Sequence, residues 1–230
     1  MTETHPPVEV TARPAVRAAA LGYVVLALGH LVAVLADAPN VARPTQWLLM
    51  PTLTVVLLAA TAGRPRSRLV KLVLLALVFS WLGDTVPSAL SGEPAYLSQV
   101  GLFLVAHLAS ITAFWPYRHD SVLRRPAMLG YVAALAALLI LCGPHTGVLF
   151  GPLVVYGVCL IFMAALATGV DRLAAIGGAV FVLSDSLIGF DRFVDWFDPP
   201  VPGFWIMVTY MVAQPLIVAG VLRRDRADQH

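Results

Sequence analysis

Charge is what this sequence has least of. Lys and Arg together number 15 and Asp and Glu 13, only 12% of 230 residues, about half the ~25% usual in soluble domains. So few charges cannot coat a globule of this size with water-compatible surface, and a soluble domain is excluded. Lysine is nearly missing: Lys71 is the single one. Cysteine is scarce, with Cys142 and Cys159 both inside apolar runs, which excludes a disulfide scaffold. A net charge of +2 offers no dedicated basic face, so nucleic acid is not an expected partner. Hydrophobic residues fill 59% of the chain and the mean hydropathy is +0.83, which excludes disorder. What is present in quantity is long runs of Ala, Leu and Val, and these imply an all-α, polytopic transmembrane bundle.

A bilayer core about 30 Å thick needs roughly 20 apolar helical residues per crossing. Eight stretches meet this need, near 15–35, 46–62, 69–90, 96–117, 126–142, 147–168, 172–191 and 203–222. Turn chemistry separates them: Asp37-Ala38-Pro39-Asn40, Gly63-Arg64-Pro65, Ser91-Gly92-Glu93-Pro94, Gly143-Pro144 and Asp198-Pro199-Pro200. The fifth and sixth runs are joined only by Gly143-Pro144-His145-Thr146; together they are too long for one crossing, so a tight hairpin is expected. The polar, Pro-rich residues 1–14 read as a disordered cytoplasmic tail, 15–222 as the membrane domain, and 223–230 as a basic cytoplasmic tail. Trp47, Trp115, Trp196 and Trp205 fall near span ends, as in an interfacial aromatic belt.

Threading the chain through eight crossings puts 13 of the 15 cations on the side of both termini, in clusters around Arg17, Arg64, Arg118, Arg172 and Arg224. Only Arg43 and Arg192 fall on the other side. By the positive-inside rule both termini are cytoplasmic. The Arg- and Ala-rich composition fits the cytoplasmic membrane of a bacterium with a GC-rich genome.

Ionisable side chains inside a span cost a few kcal/mol each and are functional candidates by default. Four stand out: His30, Asp84, His107 and Asp185. Spans 1, 3 and 7 run outward. His30 and Asp84 lie about 15 residues into theirs and Asp185 about 13, a common height in the outer half at about 1.5 Å per residue. Span 4 runs inward and places His107 near the midplane, while Tyr210 and Gln214, one turn apart in span 8, bracket the same layer. A shared polar layer implies one cavity. For His30 the reading as a satisfied core histidine outweighs that of a ligand; for His107 the two stand level, as do packing and substrate contact for Tyr210 and Gln214. Two carboxyls buried at one depth are too costly to be idle. Both sit among small residues, Ser80-Trp81-Leu82-Gly83-Asp84-Thr85 and Ser184-Asp185-Ser186, which permit close helix approach and offer hydroxyl partners. Their equivalent settings four spans apart would fit a parallel four-plus-four repeat, although the halves otherwise show no clear match. On the outer side Arg43 and Arg192 stand beside Asn40, Asp191 and Asp195. A lipid phosphate is the natural partner for an arginine against the orientation trend; the competing reading is a surface pairing of Arg192 with Asp191 and Asp195.

Ser80-Trp81-Leu82-Gly83-Asp84, Gly101 to Leu108 with His107, Ser184-Asp185-Ser186-Leu187 with Asp191-Arg192-Phe193, Thr209 to Gln214, and Asn40-Val41-Ala42-Arg43-Pro44 resemble the signature segments of the YhhN family, multi-span proteins that include lysoplasmalogenases. The last segment carries Arg where the family pattern has Lys. Order and spacing match over roughly 20–222. The resemblance implies an ether hydrolase (EC 3.3.2-type) that cleaves the vinyl ether bond of a lysoplasmalogen to a fatty aldehyde and glycerophospho-ethanolamine or -choline. It implies no cofactor, and lysophospholipid and membrane lipids as partners. It carries Asp84 and Asp185 over as catalytic acids, with His107, Tyr210, Gln214, Arg43 and Arg192 as cavity candidates; their neighbours Asn40 and Ser184 join these as substrate-binding candidates.

Two carboxyls suit that chemistry, one delivering a proton and the other, ionised, orienting water and stabilising an oxocarbenium ion, as in glycosidases. The alternative is a proton-coupled transporter of a small molecule or lipid built on the same aspartates. Transport needs a polar path through the inner half, whereas the inner halves of these spans are nearly pure Ala, Leu and Val, which favours a one-sided pocket. A third reading has the histidines and aspartates binding zinc, but no His-x-x-x-His or Cys pair supports it. No Gly-x-Ser-x-Gly elbow is present for a serine hydrolase.

Overall fold

The computed structural model describes residues 8–229. The described residues form eight long helices: α1 (Val8–Leu35), α2 (Pro39–Ala60), α3 (Arg68–Thr85), α4 (Gly92–Phe114), α5 (Met128–Cys142), α6 (Phe150–Val170), α7 (Arg172–Phe193) and α8 (Pro202–Ala227). Each matches one expected apolar run. The link between α5 and α6 is the tight hairpin, made of two single 3-10 turns, Gly143–His145 and Gly147–Leu149.

Seven of the helical stretches are long and apolar enough, by length and composition, to cross a membrane. The remaining helix, α2, has 22 residues, enough to span, but its first two turns carry Asn40, Arg43, Thr45 and Gln46. Those turns face polar surroundings described below.

Helix reaches into the stretches expected as tails at both ends. α1 already begins at Val8 and runs through Pro14, so 8–14 are helical rather than tail; Val and Ala there extend a helix already nucleated by the apolar run. Residues 1–7 lie outside the described residues. At the other end α8 continues past 222 to Ala227, held there by charge pairs rather than released as a basic tail.

α1, α2, α3, α4, α6, α7 and α8 pack side by side in that order, with α8 returning to α1, while α5 lies outside against α6 and α7. α7 and α8 pair most closely because two glycines remove the side chains between them. A Cβ at Gly220 would stand 2.4 Å from the Ala174 backbone nitrogen, and one at Gly177 2.8 Å from the Ala213 carbonyl oxygen, contacts only small residues allow. α8 is also tied to three neighbours by hydrogen bonds. Tyr23 Oη of α1 donates to the Met211 carbonyl at 3.0 Å. Gln214 Nε2 donates to Ser80 Oγ of α3 at 3.3 Å, and Ser184 Oγ of α7 to the Ile206 carbonyl at 3.1 Å.

The periphery is apolar, with Leu21, Val32, Leu129 and Ile140 all more than 60% exposed, as lipid contact requires. Polarity is turned inward instead: His30, Ser80, Asp84, His107, Ser184 and Gln214 are buried. One end of the bundle gathers the cations. There Arg64 pairs with the buried Asp225 at 2.7 Å, Arg223 with Asp171 at 3.7 Å, and Arg224 with Asp228 at 3.0 Å. Tyr117 Oη donates to Asp228 at 2.6 Å, and the Arg224 guanidinium lies over the Tyr117 ring at 4.3 Å. These contacts join the ends of α2, α4, α6 and α8, the same ends that the cation count assigns to one side.

Candidate active site

The opposite half of the bundle contains a cavity of ≈ 400 Å³ lined by both aspartates. Asp84 enters from α3 and Asp185 from α7. Arg43 and Gln46 of α2, His30 of α1, Ser184 and Asp191 of α7, Gln99 of α4 and Tyr210 of α8 complete its polar wall. The mouth, at Pro39, Arg43, Asp191 and Gly203, lies at the ends of α2, α7 and α8 away from the cation-rich face.

Each aspartate holds a tyrosine. Tyr210 Oη donates to Asp84 Oδ2 at 2.9 Å. Tyr156 Oη of α6 donates to Asp185 Oδ2 at 2.5 Å. His107 of α4 stands behind this second pair, its Nε2 3.2 Å from Tyr156 Oη and 3.5 Å from Asp185 Oδ2. Asp185, Tyr156 and His107 therefore form one polar triangle spanning three helices, with His107 buried and the other two half-buried. Polar groups withdrawn from water in this way are stable only when partnered.

Aromatic rings link the two acids. Phe181 meets Tyr210 edge to face at 5.8 Å and His107 at 5.3 Å, and Phe103 packs on Tyr210 at 5.9 Å. Phe103 and Tyr210 line the cavity, and Phe181 packs against both rings. The close fit depends on Gly83: a Cβ there would stand 2.7 Å from the Phe103 ring. The glycine preceding Asp84 thus makes room for a ring that lines the cavity. A narrower apolar cleft, walled by Tyr96, Val100, Leu138, Leu153 and Tyr156, meets the main cavity at Gln99, Phe103, Asp185 and Ile188.

Of the residues expected from sequence, Asp84, Asp185, Tyr210, Arg43 and Ser184 come together in the cavity wall. His107 reaches it only through Tyr156 and Asp185. Gln214 is buried one turn deeper on Ser80. Arg192 turns away from the cavity and places its guanidinium 4.9 Å over the Tyr96 ring, satisfied by a cation–π contact rather than by the surface pairing with Asp191 and Asp195. Asn40 is exposed on the first turn of α2 and is not among the lining residues. Among the described residues no group of three or more His, Cys, Asp and Glu side chains is arranged to hold a metal ion.

Sequence reasoning overlooked Tyr156, Gln46 and Gln99. Tyr156 was within reach of the depth argument: it lies about nine residues into the inward-running sixth span, about 14 Å from its outer end at 1.5 Å per residue, between the heights of the aspartates and of His107.

Residues 45–221 match the model of the YhhN family. The chain belongs to the YhhN family. Two curated relatives bearing the name lysoplasmalogenase, from Mycobacterium bovis and Mycobacterium tuberculosis, are each 34% identical over 178 residues, covering 74% of this chain and 67% of theirs. No solved structure matches. The YhhN match contains Asp84, His107, Tyr156, Asp185 and Tyr210, whereas His30 and Arg43 precede it.

Proposed function

We propose that this YhhN protein hydrolyses the vinyl ether bond of lysoplasmalogen-type lipids in a bacterial cytoplasmic membrane, with the cation-rich face inside. The observation that carries this reading is a cavity lined by Asp84 of α3 and Asp185 of α7 with Arg43 at its mouth, in a chain similar to lysoplasmalogenases.

The phosphate of the lipid pairs with Arg43 at the mouth. The vinyl ether lies between Asp84 and Asp185, and the chain follows the apolar cleft past Ile188. One aspartic acid gives its proton to the β-carbon of the vinyl ether, turning the C=C–O unit into an oxocarbenium ion. The other, as carboxylate, stabilises that cation and takes a proton from the water that adds to the α-carbon. The resulting hemiacetal breaks its bond to the glycerol oxygen, which leaves as the alcohol with a proton, and the lipid fragment leaves as the aldehyde. One water is consumed and no oxidant or reductant is needed. Tyr156, Tyr210 and His107 hold the carboxyls in place and shift protons within their hydrogen bonds.

A transporter using the same acids is less well supported. The inner half is packed with Leu166, Ala167, Val170, Ala174 and Val221, each no more than 3% exposed, which favours a pocket open on one side. The test is incubation of purified protein with lysoplasmalogens and ester lysophospholipids in detergent. Aldehyde from the vinyl ether lipids alone is expected. Intact lipid carried across vesicles without aldehyde would overturn the enzymatic reading in favour of transport.

A further inference from the structure

His30 is a polar wall group to which the proposed chemistry gives no task, and its surroundings define its tautomer. The ring is 1% exposed. Nδ1 lies 3.1 Å from the Ala42 carbonyl oxygen and 3.0 Å from Thr45 Oγ1. The carbonyl can only accept. The single hydroxyl hydrogen of Thr45 is committed to the Val41 and Ala42 carbonyls, at 2.7 and 2.9 Å, so toward His30 its oxygen also accepts. Nδ1 must therefore carry the proton, and in the neutral ring Nε2 is a bare lone pair. Among the described residues no group partners that lone pair, which is itself buried, while the His30 side chain belongs to the wall of the cavity. A buried acceptor left unmet is costly, and this one is held rigidly from α2 on its far side. It is a prepared site for a hydrogen-bond donor.

The neighbours indicate which donor. Ala42, which anchors the ring, precedes Arg43 at the mouth; Asp84 lies on the adjoining helix in the same wall. In a lysolipid with its phosphate at Arg43 and its ether at the aspartates, the group between the two is the free hydroxyl of the central glycerol carbon. We propose that His30 Nε2 accepts a hydrogen bond from that hydroxyl and makes the site selective for lysolipids over two-chain lipids. An ester at the central carbon has no hydrogen to donate and would set its oxygens against the lone pair. This inference rests on the lipid placement above and assigns His30 a binding role in it.

The test uses binding, so that it stands apart from turnover. Affinities of purified protein are measured for a saturated 1-O-alkyl lysophospholipid, which cannot be hydrolysed as a vinyl ether, and for its analogue lacking the central hydroxyl. The wild type is expected to favour the hydroxyl form by about 10–100-fold, the range for a buried acceptor that loses its partner. His30→Phe keeps a ring of similar size without the acceptor and should abolish the preference by weakening only the hydroxyl form. His30→Gln, which retains an acceptor, should restore part of it and provides the comparison if the Phe variant does not fold. Equal affinities in the wild type overturn the proposal, as does a preference that survives in His30→Phe. So does a loss shared equally by both ligands, which would mark His30 as structural or as a water-binding group. If vinyl ether lipids yield no aldehyde, the hydrolase reading fails, and the affinity comparison still decides the role of His30.

Discussion

The Tyr156 hydroxyl is the most informative single atom to remove, because it touches both other members of the triangle, while it is the ring, kept in the variant, that walls the cleft assigned to the lipid chain. In Tyr156→Phe the ring and its stacking on His107, centroids 5.2 Å apart, remain. The 2.5 Å hydrogen bond to Asp185 and the 3.2 Å contact to His107 both go. Asp185 keeps only His107, at 3.5 Å, beyond good hydrogen-bond length. Stripping one partner from a buried polar group costs about 1–3 kcal/mol, and at 1.36 kcal/mol per decade that predicts a fall in kcat of about 5–150-fold. The loss belongs in kcat rather than KM, since the hydroxyl acts on the acid and not on the lipid. Initial rates of aldehyde release across a lysoplasmalogen concentration series separate the two, and the thermal midpoint in detergent confirms that the variant is folded. A folded variant with wild-type kcat would refute the assignment of Tyr156 as the group that positions Asp185.

Other consequences follow from the packing. Gly83→Leu places a side chain where even a Cβ meets the Phe103 ring at 2.7 Å; overpacking of this kind costs about 1–3 kcal/mol, and both the thermal midpoint and the aldehyde yield should fall. Arg64→Ala leaves Asp225, 2% exposed, without its 2.7 Å partner. Breaking a buried pair costs on the order of 3 kcal/mol, so the midpoint should drop while kcat of the folded fraction stays unchanged, the pair being at the other end of the bundle. In intact cells, a membrane-impermeant thiol reagent should label Arg43→Cys, in a background lacking Cys142 and Cys159, and should not label Arg68→Cys; the reverse pattern would invert the orientation.

The bundle was legible because membranes impose a coarse grammar. Length and hydropathy located all eight helices, and the Gly143-Pro144 link was enough to split the fifth from the sixth. Depth arithmetic brought Asp84, Asp185, Tyr210 and His107 into one layer because a helix converts sequence position into height at a fixed rise. It says nothing about rotation, and this is where the reading fell short. Gln214 and Arg192 have suitable heights but turn toward Ser80 and Tyr96. Tyr156 was passed over because a tyrosine in a span is ordinary until its partner is known. The helical ends beyond the apolar runs, Val8 to Pro14 and Arg223 to Ala227, were invisible to hydropathy. At the C-terminal end, helix is sustained by pairs such as Arg224 with Asp228, which hydropathy does not count.

The central claim is that two carboxyls on α3 and α7 act together on one bond. Its most direct test is aldehyde release from lysoplasmalogen by purified Asp84→Asn and Asp185→Asn, each shown to be folded by its thermal midpoint. Loss of aldehyde release in both variants is the predicted result; wild-type turnover in either would contradict the account.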